Sequence, residues 1–430
     1  MERLTGLFGF ALILGIAFLL SNNRKAINYR LVISGLLLQM GLAVFILKIP
    51  IGQRIFGFLG AKITSLLAMA DKGGEFVFGG LMHPELLRPL LGNFSFLFMF
   101  KIMPTIIFVA VLVNIAYHIG IMQIVVSALA RVVHFLMRVS GAEALSNVAS
   151  TFVGQVEAQI MIKPYISSMT MSELLASMSG SMACIAGGVM AVYISFGIKA
   201  SYLLAASIMA APAALVISKI VWPETEESAT KGVVKLEIKK THANLLDAIS
   251  HGASDGLKVS LNVIAMLIGF IALIALVNWV LHWVGLRLSG LGMHLDFIGV
   301  NLADLSLNSI FGAIFSIFAW AMGVPSGETH TVGTLLGTKM VINEFVAYDG
   351  LAKMVSEHTI SEKAALIASF ACCGFANFSS IAIQVGGIGE LAPDRRKDLA
   401  KLGFKALICG TLASYLSATI AGMLFGIEFF

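Results

Sequence analysis

Long apolar runs constrain this chain more than any other feature of its sequence. Stretches of about twenty residues, each long enough for the ~30 Å hydrocarbon core of a bilayer, recur along the chain. They occupy residues 5–21, 31–49, 96–117, 173–196, 201–221, 259–284, 362–386 and 404–427. With 58% hydrophobic and 12% charged residues, the chain has more apolar surface than a soluble core can hide. We therefore predict an all-α polytopic membrane protein with eight transmembrane helices.

Composition also argues against several classes of function. The four cysteines lie inside apolar runs without CxxC spacing, and the nine histidines form no metal-binding motif, so no cofactor is expected. The net charge of +5 suits the basic cytoplasmic loops of a membrane protein and does not indicate a nucleic-acid partner. We interpret the first run as a span, because no small-residue cleavage site precedes Arg24 and Lys25.

The distribution of basic residues predicts an orientation in the bilayer. Lysines and arginines gather in the loops after the first, fifth and seventh runs, and a count of eight spans places these three loops on one side. The positive-inside rule makes that side the cytoplasmic face of the cell (inner) membrane, with both termini extracytoplasmic. The polar segment 222–257, which carries charges of both signs, is predicted to be a cytoplasmic linker.

An internal repeat relates two parts of the chain. Downstream of two semi-polar stretches, residues of the same type recur at one constant offset: Thr170 and Thr359, Ser172 and Ser361, Glu173 and Glu362, Cys184 and Cys373, Ile194 and Ile383, Gly197 and Gly386. The units begin after three and after six spans, so they enter the membrane from opposite sides, as in inverted-repeat transporters. Segments 142–154 and 329–343 are too short to cross as helices. We predict two re-entrant hairpins with tips at 155–157 and 343–345.

Each predicted tip carries a carboxylate at membrane depth. An ionised Glu157 or Glu344 costs at least ~2.5 kcal/mol there unless something compensates it. One interpretation is that each carboxylate caps the helix that starts at its tip, by accepting free backbone N–H groups. The favoured interpretation is a solute site, because non-helical backbone at this depth is tolerated mainly where it lines a cavity. The two roles are compatible.

The spans that face the tips contain matching irregularities. Gly187 and Gly188 interrupt one apolar run, and close helix packing is their favoured explanation. Asn377 and Ser380 lie three residues apart on one helical face, which favours a solute-facing role over an interhelical hydrogen bond. Carboxylates, amides and hydroxyls without an arginine suit a neutral, hydroxyl-rich solute.

The run GTKMVINEFVAY at residues 337–348 matches the GxKxxxNEFVAY signature of the concentrative nucleoside transporters at every position. The resemblance also covers GQVEA at 154–158, CIAGGV at 184–189 and GFANFSS at 374–380, and it extends along essentially the whole chain. The sequence therefore resembles a bacterial cation-coupled nucleoside permease, a symporter with no enzymatic activity.

That family implies a homotrimer in which each protomer has a scaffold and a transport domain that moves like an elevator across the bilayer. The implied organisation is as follows: 1–120, spans 1–3 and an interfacial helix, mainly scaffold; 121–221, first repeat with hairpin 1 and spans 4–5; 222–257, linker; 258–300, span 6 in the scaffold; 301–386, second repeat with an interfacial helix, hairpin 2 and span 7; 387–430, cytoplasmic loop and span 8.

The resemblance also implies roles for individual residues. The nucleobase would contact Gln155, Val156, Glu157 and Val189, and the ribose would contact Glu344, Asn377 and Ser380, with Phe375 lining the pocket. The coupling cation would bind near Ser150, Thr151, Val153, Cys184 and Ile185.

The predicted cation site departs from the sodium-coupled members of the family. Those members resemble one another in having Asn at the position of Ser150 and Ser at that of Cys184, and Val156 replaces a usual Thr or Ser. Since sodium prefers hard oxygen ligands, the site is weakened. We favour H⁺ over Na⁺ as the coupling ion, with Glu157 or Glu344 as the titrating group.

Other classes of function fit less well. An embedded enzyme needs a nucleophile with a base or a metal cluster, and the predicted tips contain neither. A channel is expected to repeat one pore-lining element symmetrically. The remaining alternative is a symporter for another neutral polar solute, such as a nucleobase. The preference for purine or pyrimidine nucleosides is left open.

Overall fold

The computed structural model describes residues 2–92, 97–231, 243–290 and 302–427, and every regular element in these ranges is helical. The helices are α1 (Glu2–Leu19), α2 (Tyr29–Leu47), α3 (Pro50–Phe78), α4 (Pro84–Leu91), α5 (Phe98–His118), α6 (Ile121–Met137), α7 (Gly141–Ala149), α8 (Glu157–Ile160), α9 (Lys163–Ile166), α10 (Met171–Ala183), α11 (Gly187–Ser195), α12 (Ala200–Val221), α13 (Leu245–Gly290), α14 (Leu307–Ala321), α15 (Thr329–Val341), α16 (Glu344–Ser356), α17 (Glu362–Ala371), α18 (Phe378–Leu391) and α19 (Arg396–Leu424). Short 3-10 turns lie at Arg24–Ala26, Gly79–Met82, Leu302–Asp304, Ser326–Glu328 and Pro393–Arg395.

The predicted multi-pass membrane architecture is confirmed. Within the described ranges, six helical segments are long and apolar enough to cross a membrane by length and composition. They are Tyr29–Leu47, Met99–His118, Met171–Ser195, Ala200–Val221, Leu245–Gly290 and Pro393–Leu424. The first predicted span falls among the shorter apolar helices, as Thr5–Leu19, and the seventh is divided between α17 and α18.

Two of the predicted spans are broken helices and not continuous ones. Between α10 and α11 the chain unwinds at residues 184–186, and between α17 and α18 it unwinds at residues 372–377. Gly187 begins α11, and its N–H donates to the Phe152 carbonyl at 3.1 Å. The expectation that this glycine pair mainly serves helix packing is therefore incomplete, because Gly187 also marks the point where a new helix starts.

The predicted linker is shorter than its sequence suggested. Helix α13 begins at Leu245, inside the segment 222–257, and continues for 46 residues through the predicted sixth span. Its partner is α5, and Gly252 and Gly256 allow the α5 backbone to approach closely. Residues 232–242 of the predicted linker and residues 291–301 lie outside the described part of the chain.

The two predicted repeats share one order of elements. In each, an apolar helix (α6 or α14) precedes a hairpin, a broken helix follows it, and a long helix (α12 or α19) ends the unit. Of the matching residues, Cys184 and Cys373 both lie in the break of a broken helix. The caps of the first halves are Thr170 and Ser361, which are not a matched pair, so the constant offset does not hold at the helix starts. On this order α19 belongs with the second unit, whereas the sequence analysis had set residues 387–430 apart.

The core lies where the two repeats meet. Helices α10, α12, α17 and α19 pack against one another, and most residues of α10, α12 and α19 are buried. Helix α13, by contrast, exposes most of its apolar surface. The hairpins are thus supported by the buried helices of both repeats, which is where the predicted solute site is expected.

Candidate functional site

The tip of hairpin 2 holds a buried carboxylate. Asn343 caps α16 by accepting a hydrogen bond from the Val346 N–H at 3.1 Å, so the next residue, Glu344, opens the helix. Glu344 is 2% exposed. Its Oε1 accepts from the Tyr193 hydroxyl at 3.3 Å, and its Oε2 accepts from the Asn377 Nδ2 at 2.9 Å. Two oriented donors thus hold the carboxylate in one position and leave further lone pairs free to accept.

Asn377 connects this carboxylate to the second half of the broken helix. Its Oδ1 caps α18 by accepting from the Ser380 N–H at 2.9 Å, and it also accepts from the Ser379 hydroxyl at 2.7 Å. Because the oxygen faces these donors, the amide nitrogen must point to Glu344. The interhelical hydrogen bond, the less favoured interpretation of Asn377, is therefore present, and its solute-facing role stays a prediction.

The two unwound segments cross each other. The Phe375 N–H donates to the Cys184 carbonyl at 3.3 Å, which joins the break after α17 to the break after α10. Gly374 has φ of +109°, and a Cβ there would lie 2.5 Å from the Ala183 carbonyl oxygen. Both its conformation and its surroundings require glycine. This crossing holds Phe375 and Asn377 beside the first repeat.

The tip of hairpin 1 is more open. Gln155 is half-buried, and its Nε2 donates to the Ser380 Oγ at 3.3 Å. Glu157 opens the short helix α8 and is exposed, with its carboxylate folded back against Gly154. Val156 packs against Gly387 of α18. Hairpin 1 therefore meets the second repeat through Gln155 and Val156, while Glu157 stays accessible.

The structure brings only some of the predicted residues into one hydrogen-bonded network. Within the described residues, Gln155, Ser380, Asn377 and Glu344 form a continuous chain of side-chain and capping contacts. Phe375 is buried beside that chain. Glu157 and Val189 lie outside it, both with part of their surface open.

The residues predicted to hold a cation are already engaged with the protein. The Ser150 hydroxyl donates to the Ser146 carbonyl at 2.7 Å and lies 3.0 Å from the Ser181 Oγ. The Thr151 hydroxyl donates to the Val148 carbonyl at 2.7 Å. The Cys184 thiol faces the Ser207 carbonyl on α12 at 3.7 Å. Val153 and Ile185 are buried, and the role predicted for their carbonyls stays a prediction.

Several residues at the site were missed by the sequence analysis. They are Tyr193, Lys339, Gln384, Ser181 and Gln159. The Tyr193 hydroxyl donates to Glu344. Lys339, in α15, interacts with Glu344 electrostatically but forms no ion pair with it in the described structure. Lys339 is completely buried, and its Nζ has no hydrogen-bond partner among the described residues. The lysine of the GxK motif was a usable signal, since a buried charge next to a carboxylate is rarely accidental.

Models of known protein families match most of the chain. Residues 202–422 match the model for the C-terminus of Na⁺ dependent nucleoside transporters, residues 8–81 match the corresponding N-terminal model, and residues 99–200 match a nucleoside recognition (Gate) model. An uncharacterised transporter of Haemophilus influenzae is 43% identical over 99% of both chains. The nucleoside permease NupC of Helicobacter pylori is 36% identical over 99% of both chains.

The fold is also that of solved structures of CNTnw. The structure of CNTnw in an inward-facing, substrate-bound state superposes with a TM-score of 0.90, at 39% identity, over 100% of both chains. These relatives are transport proteins and not enzymes. With matching family models over most of its length and full-length relatives above one third identity, the chain is a multi-pass membrane protein that belongs to the concentrative nucleoside transporter family.

Proposed function

We propose that this protein imports nucleosides by cation-coupled symport through an elevator-type alternating-access mechanism. The observation that carries the proposal is the Glu344 carboxylate, which is buried at the contact between hairpin 2 and the start of α18 and is held there by two donors. A carboxylate can accept two adjacent hydroxyl protons at once, and adjacent hydroxyls are what a ribose offers.

Ser380 and Asn377 support binding of the ribose at this end. The Ser380 Oγ accepts from Gln155, so its own proton remains available to donate to a sugar hydroxyl. Asn377 holds the carboxylate that would accept from the sugar. Gln155 and Glu157, with Val156 and Val189 beside them, would then face the nucleobase from hairpin 1.

The elevator mechanism is supported by how the helices group. All proposed binding residues lie on the hairpins and broken helices. Most of these elements pack on the buried helices α12 and α19, whereas α11 packs mainly on α5. Helix α13 packs on α5 and exposes most of its surface. We assign the first group to a transport domain that moves as a unit, and α5 and α13 to the scaffold.

We favour H⁺ over Na⁺ as the coupling ion. The hydroxyls of Ser150 and Thr151 both donate to nearby carbonyls, and the Cys184 sulfur is a poor ligand for a hard cation. Because a hydroxyl that donates still keeps lone pairs, the preference rests on the amide absent at Ser150 and on the thiol at Cys184. Glu157 or Glu344 would then carry the coupled proton.

Purified protein in liposomes tests both substrate and coupling. We expect concentrative uptake of radiolabelled uridine or adenosine under an imposed pH gradient alone, and little under a sodium gradient alone. Uptake that requires sodium would reject the preference for protons but keep the transport assignment. Failure to take up either nucleoside under both gradients would reject nucleoside transport itself.

A gain-of-function variant sharpens the assignment of the coupling ion. Restoring the residues typical of sodium-coupled members, in the double substitution Ser150→Asn and Cys184→Ser, should add sodium-driven uptake. Ser195→Asn is the matched control, because Ser195 ends α11 and bonds only the nearby Val192 carbonyl in the described structure. A double variant that stays indifferent to sodium would mean that the cation does not bind at these positions.

A nucleobase transporter is the alternative that analogues can separate. If Glu344 binds the ribose, 2′,3′-dideoxyuridine should compete poorly with uridine, and free uracil should compete hardly at all. Equal competition by uracil would favour the nucleobase.

We further propose a homotrimer in the cell inner membrane, with both termini extracytoplasmic. Native mass spectrometry of the detergent-solubilised protein should give three chains per particle. Cysteine accessibility provides the test of orientation: a cysteine placed at the exposed Glu226 should be protected from a membrane-impermeant reagent in intact cells.

A further inference from the structure

A second buried glutamine lies directly behind Gln155. Gln384, on α18, is 0% exposed, and its Nε2 donates both to the Met178 carbonyl at 3.2 Å and to the Gln155 Oε1 at 3.4 Å. Its own Oε1 is buried and has no hydrogen-bond partner among the described residues. A buried polar atom without a partner destabilises the folded protein, so the arrangement needs an explanation.

Met178 determines which end of the Gln384 amide faces which neighbour. A main-chain carbonyl can only accept a hydrogen bond, so the atom of Gln384 that contacts it must be the NH₂ nitrogen. The same nitrogen also contacts Gln155. The Gln155 atom at that contact must therefore be its oxygen.

The orientation of the Gln155 amide also determines which of its atoms faces Ser380. With its oxygen facing Gln384, Gln155 must turn its NH₂ group toward the Ser380 Oγ, which accepts at 3.3 Å. Ser380 alone would not enforce this, because a hydroxyl can donate as well as accept. Gln384 and Ser380 are one helical turn apart on α18, and they grip the two ends of the Gln155 amide.

We propose that Gln384 is a positioning residue that fixes the amide of Gln155 in one orientation and thereby determines which nucleobase edge the site accepts. This inference rests on the proposed nucleoside function. After its contacts with the protein, Gln155 keeps one N–H and one oxygen lone pair, in a fixed order along the pocket. A base edge binds well when its acceptor faces the Gln155 N–H and its donor faces the Gln155 oxygen. In the opposite order, donor faces donor and acceptor faces acceptor, and binding is weaker.

Two pairs of nucleosides separate the effect of the base edge from the effects of base size and of the sugar. Uridine and cytidine share one ribose and nearly one shape, but their edges reverse the order of donor and acceptor, and inosine and adenosine do the same among purines. The oriented amide should therefore discriminate within each pair. Since a single net hydrogen bond contributes about 0.5–1.5 kcal/mol, we expect about a three- to tenfold difference within each pair.

The test is the ratio of transport efficiencies within each pair, measured in liposomes, since a ratio does not depend on the amount of active protein. Gln384→Met removes the donor with little change in volume and lets the Gln155 amide rotate. We expect both ratios to move toward one by about three- to tenfold, with total uptake changed less. Gln384→Leu should behave in the same way.

Gln39→Met is the matched control. Gln39 is also 0% exposed, its Nε2 donates to the Ser417 Oγ at 3.0 Å, and its Oε1 also has no partner among the described residues. It lies on α2, away from the hairpins, so its loss should leave both ratios unchanged. An equal change of ratio in both variants would indicate a general effect of losing a buried amide and would overturn the inference.

A double variant separates positioning from a merely structural role. Gln155→Met should itself bring both ratios to one, and adding Gln384→Met in that background should change them no further. The inference is overturned if the unaltered protein transports both members of each pair equally, or if Gln384→Met leaves the ratios intact. Lack of any nucleoside transport by the unaltered protein would instead reject the proposed function.

Discussion

The two hairpin tips differ in how completely each is held in the structure. At hairpin 2 the chain turns within residues 342–343, and Glu344 is buried between two donors. At hairpin 1 the chain is irregular over residues 150–156, the second arm is divided into α8 and α9, and Glu157 is exposed. The same type of side chain in equivalent repeats therefore serves different purposes: one carboxylate is preorganised, and the other is free to adjust.

This difference matches what each tip is proposed to bind. Every nucleoside carries the same ribose, so a rigid acceptor for its hydroxyls loses little by being fixed in advance. Nucleobases vary in size and in edge pattern. At hairpin 1 the exposed Glu157 could adjust to different bases, while the Gln155 amide, held in one orientation, would select among edge patterns. The predictions below test this contrast through the affinity of the purified protein for uridine, measured at one fixed pH and one salt composition because a coupled ion changes the substrate affinity of a symporter.

The largest expected effect is at Glu344. Glu344→Gln removes the charge that would accept two ribose hydroxyls, and charge-assisted hydrogen bonds contribute about 1.5–3 kcal/mol each, so affinity should fall on the order of 100-fold. Isothermal titration calorimetry gives the measurement. Glu357→Gln, at the exposed far end of α16, should bind as the unaltered protein does. Normal uridine affinity in Glu344→Gln would mean that the preorganised carboxylate of hairpin 2 does not bind the ribose.

A smaller loss is expected at the other tip. Glu157 is exposed, so its hydrogen bond to the base competes with water, and Glu157→Gln should weaken uridine binding about tenfold. The same calorimetric titration applies. Losses of equal size at Glu157 and Glu344 would break the distinction between a fixed and an adaptable tip.

Asn377→Ser separates capping from positioning. Serine caps helices about as well as asparagine, so α18 should keep its start, but the donor to Glu344 is lost. We expect an affinity loss of up to about tenfold with an unchanged melting temperature, measured by calorimetric titration and by differential scanning fluorimetry. A lowered melting temperature with normal affinity would assign Asn377 to the fold alone.

The smallest effect is expected at Tyr193. Tyr193→Phe deletes the longer of the two bonds to Glu344 while the ring can stay stacked on Tyr348, whose centroid lies 4.1 Å away, so affinity should fall about threefold. Tyr415→Phe is the control, because the buried Tyr415 hydroxyl has no hydrogen-bond partner in the described structure. An effect as large as that of Glu344→Gln would show that the tyrosine, and not the carboxylate, dominates the site.

Much of the architecture could be predicted from local sequence. Apolar runs of membrane length predicted the spans, and the NEF and VEA stretches marked the hairpin tips because a carboxylate inside an apolar region needs a reason. Asn377 was recognised from its spacing to Ser380. Such inferences succeed because they depend on neighbours in the chain.

The errors have a common cause. Two broken helices were expected to be continuous, because a window of mean hydropathy does not register a change of backbone direction at Cys184 or Gly374. The linker was predicted to be too long, because the polar first turns of α13 do not register in a window of mean hydropathy, although Asn244 accepts from the Asp247 N–H at 2.9 Å at the helix start. Only the crossing of the two breaks shows why Gly374 must be a glycine.

The sequence by itself determined that this chain lies in a membrane, that it contains two hairpins with carboxylates at their tips, and which family it resembles. The tertiary structure decided which of those groups meet. Tyr193 and Gln384 are distant in sequence from the side chains they hold, and each contact depends on how two helices cross. The direction of a hydrogen bond, set at the Met178 carbonyl and passed on to Gln155, exists only once the two repeats are packed together.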